Sequence, residues 1–265
     1  MIEFEILFMY FIIYSFLGWL CESIYCSVTQ SKIINSGFMY GPYCPIYGFG
    51  GLLVVIFLTP FFNMPIIVFL LGMLMTTTLE YITSYLMEKA FNAKWWDYSH
   101  LKFNINGRVC LLFALFFGIM GLFATYVIHP QVQDLINMIP LNYLNIIVIG
   151  IFILIVIDFV STLYTVLSLE NKLLQIKEIA EKIKDEKINQ FNNFELIKQL
   201  EELKSNTILK GNNYYKRILE AFPSLDFKKF SNQINELKLE LHKKQFLKKQ
   251  KNKNKNKKEI KRISD

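Results

Sequence analysis

The chain has 265 residues, of which 53% are hydrophobic, with 24 Phe, 14 Tyr and a formal net charge of +7. Residues 1–169 hold five basic and eight acidic residues, net −3, whereas residues 170–265 hold 24 basic and 14 acidic, net +10. That division excludes a uniformly water-soluble chain: the first part is built for lipid and the second for water.

A helix needs about 20 apolar residues to cross the hydrocarbon core. Five segments are predicted to do so, at about 4–26, 43–62, 64–88, 108–128 and 143–168. Runs such as LNIIVIGIFILIVIDFVSTLY leave no polar face for water. The start, MIEFEI, is acidic where a cleaved signal would be basic. In segment 1, Ser15, Gly18 and Glu22 share a helical face by their spacing.

Segment 2 opens within GFMYGPYCPIYGFGG, where Gly41-Pro42 and Cys44-Pro45 interrupt helical geometry at its entry. The flanking glycines permit tight turns and close backbone approach. A broken entry is tolerated at membrane depth only where protein or a watery cavity surrounds it. Two readings stand. One is a tight turn with Tyr40, Tyr43 and Tyr47 as interfacial anchors. The other is a mouth lined by exposed backbone N–H groups.

Segment 3 carries a partly polar stripe of Thr76, Thr77, Glu80 and Ser84. Segment 5 carries Asp158, near Ser161 and Thr162. Charges facing lipid at that depth are costly, so Glu22, Glu80 and Asp158 are expected to face the bundle or water. Arg108, opening segment 4, is the basic residue placed to meet Glu22 and Glu80, because its fork of donors can bridge two carboxylates. Such a cluster reads either as a structural ion-pair network or as a ligand or proton site.

The loop FNAKWWDYSHLKFNINGR joins segments 3 and 4. Trp95, Trp96 and Tyr98 suit an interfacial helix or lid, and Asp97, Ser99 and His100 add polar groups. Asn104, Asn106 and Gly107 read as a turn and helix cap. The cysteines, Cys21, Cys26, Cys44 and Cys110, fall near the cytoplasmic ends of the spans, where a disulfide is not expected. Neither metal-ligand spacing nor a cofactor motif is assigned. A parallel repeat of two helices is suggested, 4–62 and 64–128, in which Glu22 aligns with Glu80, Gly41 with Gly107, and Cys44 with Cys110.

Lys32, Lys89, Lys94, Lys102, Arg108 and the basic tail all fall on one side; the turn PFFNMP and the loop HPQVQDLINMIPLN carry no Lys or Arg. The positive-inside rule then predicts the N-terminus outside and the C-terminus inside. The expected fold is all-α: a polytopic domain of five transmembrane helices over 1–168, then a basic amphipathic helical cytoplasmic region over 169–248. Segment 5 is free to continue into that region as one helix. A Lys/Asn-rich tail over 249–265 is expected to be disordered.

YSFLGWLCESIY, GFMYGPYCPIYGFGG, LEYITSYLMEKAFNAKWWDYS and FNINGRVCL together resemble the bacterial membrane family labelled Putative ABC-transporter type IV, over about residues 8–168. Its members are called ABC transporter permeases. The resemblance implies a permease-like subunit of the bacterial cytoplasmic membrane. It marks Glu22, Gly41-Pro42-Tyr43, Glu80, Trp95-Trp96-Asp97-Tyr98 and Arg108 as characteristic positions, and it implies no substrate, catalytic residue or mechanism.

The candidate sites are therefore a polar cluster of Glu22, Glu80, Arg108 and Asp158, and a cytoplasmic mouth. The mouth comprises Gly41, Pro42, Tyr43, Pro45 and Tyr47 with Trp95, Trp96, Asp97 and Tyr98. Three functions compete: a transport-associated subunit, a scaffold or regulator recruiting a cytoplasmic partner, and a membrane-embedded enzyme acting on lipid or an isoprenoid carrier. The enzyme would use Glu22, Glu80 or Asp97 as acid or base, but no complete catalytic constellation is recognisable. The expected partners are the lipid bilayer, a second copy of the chain, anionic lipid beneath the basic tail, and a separate ATPase subunit, since G-x-x-x-x-G-K-[ST] is missing here. Nucleic acid is the weaker rival for the basic tail.

Overall fold

The computed structural model describes residues 4–184, 190–207 and 213–243. The expected disordered tail, 249–265, lies outside them. The described chain forms two compact units: residues 1–166 with 220–225, and residues 167–219 with 226–265.

The first unit is built on two helical hairpins and one long helix. Helix α1 spans Phe4–Gln30 and α2 spans Pro45–Leu53. They run antiparallel, with Gly18 against Tyr47, Gly48 against Ser15, and Gly51 against Tyr14. The glycines let the backbones close in, as small residues do between membrane helices. Helix α3 (Pro65–Phe91) and α4 (Leu111–Phe123) form the second antiparallel hairpin. Gly72 and Gly121 meet at its crossing: a Cβ on Gly121 would lie 3.3 Å from the Gly72 Cα.

Both return helices pass into one π-helical turn, Val54–Leu58 after α2 and Ala124–Ile128 after α4. Each then meets a proline, Pro60 or Pro130. The stretch HPQVQDLIN, expected as loop, is helical as α5 (His129–Asn137). Pro130 lies inside the continuous run Leu111–Asn137, directly after the π turn, and that local irregularity accommodates its ring and missing N–H. Helix α6 then runs unbroken over Leu141–Lys184.

Among the described residues, four helices, rather than five, are long and apolar enough to cross a membrane: Phe4–Gln30, Pro65–Phe91, Leu111–Asn137 and Tyr143–Ile183. The second expected span is the shorter apolar helix Pro45–Phe61. Its length is cut at one end by the non-helical entry up to Cys44 and at the other by the 3₁₀ turn Thr59–Phe61.

At the end of the unit near the start of α1, Met9, Tyr10 and Tyr14 pack with Val55, Val132, Ile136, Leu144 and Val148. Phe8 meets Phe152 edge-on. At the other end, Tyr40 reaches Thr165. Helices α1 and α6 therefore run in the same direction. The outward faces are apolar: Ile153, Leu154, Ile157 and Val160 of α6 are all exposed, which suits lipid and not water.

The second unit has its own core. Leu169, Leu173 and Ile176 of α6 are fully buried, as are Ile218 of α7 (Asn213–Ala221) and Ile234 and Leu237 of a helix over 231–243. Lys177 lies over the Phe230 ring, and Ser168 bonds Tyr215 at 2.6 Å.

Candidate functional site: a polar centre between two hairpins

The loop after α3 is folded back on itself. Asn104–Ile105 pairs antiparallel with Val109–Cys110, with Ile105 opposite Val109. Asn106 (φ 54°) and Gly107 (φ 70°) are the central residues of the turn in the connection 106–108, closed by Arg108 N–H donating to the Ile105 carbonyl at 3.0 Å. Asn-Gly with two positive φ values is the preferred hairpin turn. The turn expected at Asn104, Asn106 and Gly107 is present, but it closes a hairpin rather than capping a helix. Trp96 Nε1 donates to the Arg108 carbonyl at 3.1 Å, and Tyr98 N–H donates to the Gly107 carbonyl at 2.7 Å. These two bonds hold Trp95–Tyr98 against the hairpin rather than in an interfacial helix. Trp95 is buried, edge-on to Phe38, Phe91 and Phe222. Its contact with Phe38 joins this loop to the one after α1.

That preceding loop is tied down along α1. Ser23 Oγ accepts from Ser36 N–H at 3.1 Å, Ser27 Oγ from Ile34 N–H at 3.0 Å, and Trp19 Nε1 donates to Asn35 Oδ1 at 2.6 Å. Cys44 N–H reaches the Ser15 carbonyl at 2.9 Å, and Pro45 starts α2. Asp158 of α6 clamps the loop from the far side. Its carboxylate accepts the Tyr40 N–H at 3.0 Å, the Gly41 N–H at 2.7 Å, and the Tyr43 hydroxyl. Thr162 Oγ1 donates to it at 3.2 Å. The Gly41 N–H, which one of the two readings left open to a ligand, is therefore taken by a carboxylate of the same chain.

Glu22 and Glu80 come from different hairpins. Tyr47 of α2 faces Glu22 and lies within electrostatic reach of Glu22, Cys44, Tyr98 and Glu80. The Tyr47 ring packs against Gly18 of α1 and keeps 36% of its surface accessible. Cys44 Sγ donates to Glu22 Oε2 at 3.7 Å. Tyr98 O–H donates to Glu80 Oε1 at 3.2 Å. Glu80 is only 7% exposed, and its Oε2 has no hydrogen-bond partner.

A comparison with known protein families matches residues 9–163 to the family described as Putative ABC-transporter type IV. The chain belongs to this family. It is a permease-like, multi-pass membrane protein. Comparisons with curated proteins and with solved structures find no match.

The span shared with the Putative ABC-transporter type IV family takes in both hairpins and Asp158, but not the second unit. Within it the expected four-residue cluster is divided. Arg108 does not join Glu22 and Glu80. Its guanidinium bonds Glu88 at 2.8 Å and lies over the rings of Tyr81 and Tyr85. Tyr81, Tyr85 and Glu88 fall at i, i+4 and i+7, one face of α3, and this spacing was the legible signal for Arg108's partner. Asp158 belongs to the loop clamp. Glu22 meets Cys44, and Glu80 meets Tyr98.

Of the mouth residues, Gly41 and Tyr43 meet Asp158, Tyr98 meets Glu80, and Trp95 meets Phe38. Pro42 is exposed, and Pro45 occupies the first helical turn. Asp97 turns away: its carboxylate accepts the Ser99 N–H at 3.0 Å and lies 3.8 Å from Lys94 Nζ. Slight burial pushes its carboxyl up, but the Ser99 bonds and Lys94 outweigh this and hold it below the usual range. Burial, then the nearby Glu80 charge, pushes the Tyr98 phenol well above its ordinary range.

Proposed function

We propose that the chain is the membrane subunit of a transport system whose path runs between the α1–α2 and α3–α4 hairpins. The observation carrying this reading is Glu80, 7% exposed in α3 with one carboxylate oxygen unpartnered, while Glu22 of the other hairpin meets Cys44 at the entry to α2. A helix bundle serving only to anchor would gain nothing from buried carboxylates, which are expensive in lipid and mark pathways when they occur.

In this reading the shorter Pro45–Phe61 helix also crosses the bilayer. The antiparallel hairpins and the shared direction of α1 and α6 then give five crossings, N-out and C-in, with the Lys and Arg of both loops on the cytoplasmic face. The two hairpins are a parallel repeat. Their shared π turn and following proline support this, beside the correspondence of Glu22 with Glu80. The membrane is the bacterial cytoplasmic one. Five helices enclose a narrow path, so the working form is a homo-oligomer energised by a separate ATPase. The basic tail rests on anionic lipid.

Isolation from native membranes in mild detergent tests this. A nucleotide-binding ATPase should co-purify at fixed stoichiometry and its hydrolysis should respond to the chain. Recovery of the chain alone, or with an ATPase whose rate it does not alter, overturns the reading. Cysteines introduced at Asp134 and Gln190 test the topology: 134 should label from outside intact cells and 190 should not.

A further inference from the structure

We infer that the β-hairpin opening α4 is a re-entrant element whose Phe103 and Ile105 side chains lie among the acyl chains of the leaflet where α4 begins. The observation behind this is a polarity pattern turned inside out. In KFNINGR, Phe103 and Ile105 alternate with Asn104 and Asn106, and alternate residues of a strand face opposite sides. The polar Asn104 is turned inward. Its Nδ2 donates to the Leu101 carbonyl at 2.7 Å, and its Oδ1 accepts the Gly107 N–H at 3.1 Å. The apolar pair is turned outward, with Phe103 78% and Ile105 59% exposed. A hairpin in water buries its apolar side, whereas strands that face lipid put apolar residues out and polar residues in.

The hairpin also lies at membrane depth. Helix α3 has 27 residues, about 40 Å by the helical rise, which covers a bilayer with most of its headgroup regions. By the same rise, Tyr81 lies about 15 Å before the end of α3 at Phe91. The hairpin folds back along α3 that far. Asn106, in its turn, donates to the Tyr81 hydroxyl at 3.0 Å, and the Arg108 guanidinium lies over the Tyr81 and Tyr85 rings. Headgroups take about 5–7 Å on each side of the hydrocarbon core, so the turn reaches past them. Ile82 and Leu86 of α3 and Leu111 and Leu112 of α4 are exposed apolar residues of the same region. The Leu111 N–H donates to the Phe103 carbonyl at 3.2 Å, which makes the Phe103 ring continuous with the apolar outer face of α4.

Non-helical backbone is tolerated at that depth only where protein meets its polar groups. The hairpin satisfies this condition. The Phe103, Ile105 and Gly107 carbonyls accept from the Leu111, Arg108 and Tyr98 N–H groups, and the Arg108 carbonyl accepts from Trp96 Nε1. Glu88 offsets the Arg108 charge. Lys102 is exposed beside Phe103, and a long basic side chain can reach the phosphates while the neighbouring ring stays below them. Phe103 holds a φ of 55°, which a bulky residue seldom adopts. In water that conformation would only expose a ring; in the leaflet it delivers the ring to the acyl chains. The bilayer then backs the site described above, because the hairpin carries Gly107, which takes the Tyr98 N–H, and Tyr98 donates to Glu80. This inference needs α3 and α4 to cross the membrane and does not depend on the transport reading.

Photo-crosslinking of the full-length chain in native membranes tests this. Benzoylphenylalanine replaces Phe103, Ile105 or, as a reference exposed on α4, Phe116. After irradiation the intact mass of each purified variant is measured. Positions 103 and 105 should gain the mass of one lipid, as position 116 does. Should the variant at 103 fail to insert, the one at 105 gives the same reading. A crosslink from 103 and 105 to a second copy of the chain, or to another protein, overturns the lipid contact. An unchanged mass at both positions while 116 is modified overturns it too, and returns the hairpin to water. A chain purified without any ATPase would sink the transport reading while leaving these masses as they are.

Discussion

The Arg108 guanidinium lies 2.8 Å from the Glu88 carboxylate, with both side chains largely withdrawn from solvent. The pair joins the α3 terminus to the hairpin that opens α4, and the Tyr81 and Tyr85 rings flank the cation. Removing one partner of a buried pair leaves the other charge uncompensated, at about 3 kcal/mol or more. Glu88→Gln should therefore destabilise the purified protein by an amount of that order, read as a lowered thermal midpoint. In an Arg108→Met background the same change should cost much less, and equal losses in both backgrounds would sink the pairing. Arg108→Lys should be intermediate, because it keeps the charge but loses the planar fork and its stacking.

Asp158 closes the loop that enters α2. It is a single acceptor for the Tyr40 and Gly41 amides and the Tyr43 hydroxyl. Hydrogen bonds to a charged group contribute about 1.5–3 kcal/mol each, and buried donors left unmet add to the loss. Asp158→Ala is expected to destabilise by about 3 kcal/mol and to speed amide exchange at Tyr40 and Gly41 selectively. If those two amides exchange as slowly as in the wild type, the clamp is not what orders the loop.

The sequence made most of the helices legible, because hydropathy and length are local properties. Long, unbroken apolar runs such as segment 5 cannot be read otherwise. The stretch 45–61 was harder, since its proline-bounded ends and π turn shorten the helix without changing its apolar composition. Site partners depended on distance along the chain. Arg108 and Glu88 are 20 residues apart and the i, i+4, i+7 stripe could have paired them. Gly41 and Asp158 are 117 apart, and no spacing rule links a loop to a helix at that separation. The Asn-Gly hairpin was legible by turn chemistry, but a span beginning at Arg108 drew the reading toward a helix cap.

Close approach of α1 and α2 depends on Gly18. A Cβ there would overlap the Tyr47 ring, whereas a Cβ on Gly150 of α6 would meet nothing within 4 Å. Overpacking a well-filled contact costs about 1–3 kcal/mol. Gly18→Ala should destabilise by that amount and displace Tyr47. Gly150→Ala should be neutral, or stabilising by up to about 1 kcal/mol from helix propensity. Thermal unfolding of the two variants side by side makes the comparison. Equal midpoints would mean that α2 can shift to admit the methyl group.

Tyr98 gives the protein a predictable response to alkali. Its phenol packs against Phe113 with ring centroids 4.7 Å apart and donates to Glu80. Burial, first, and the charge of Glu80, second, raise its pKa above the ordinary 10.0. The folded state therefore holds this proton more tightly than the unfolded chain. Its contribution to stability is fully present below about 10, the ordinary tyrosine value. It is lost as pH rises from there through the folded pKa, because the unfolded phenol ionises first and draws the equilibrium toward unfolding. Tyr98→Phe keeps the ring and its packing but has no proton to lose. The variant should be less stable than the wild type at neutral pH, by about 1 kcal/mol for the missing hydrogen bond. As pH is raised, the difference should narrow. Thermal midpoints of both proteins, measured from neutral pH into the alkaline range, would give two curves that converge. Parallel curves would mean that Tyr98 ionises as freely in the fold as in the unfolded chain, and that its hydroxyl is neither buried nor bound to Glu80.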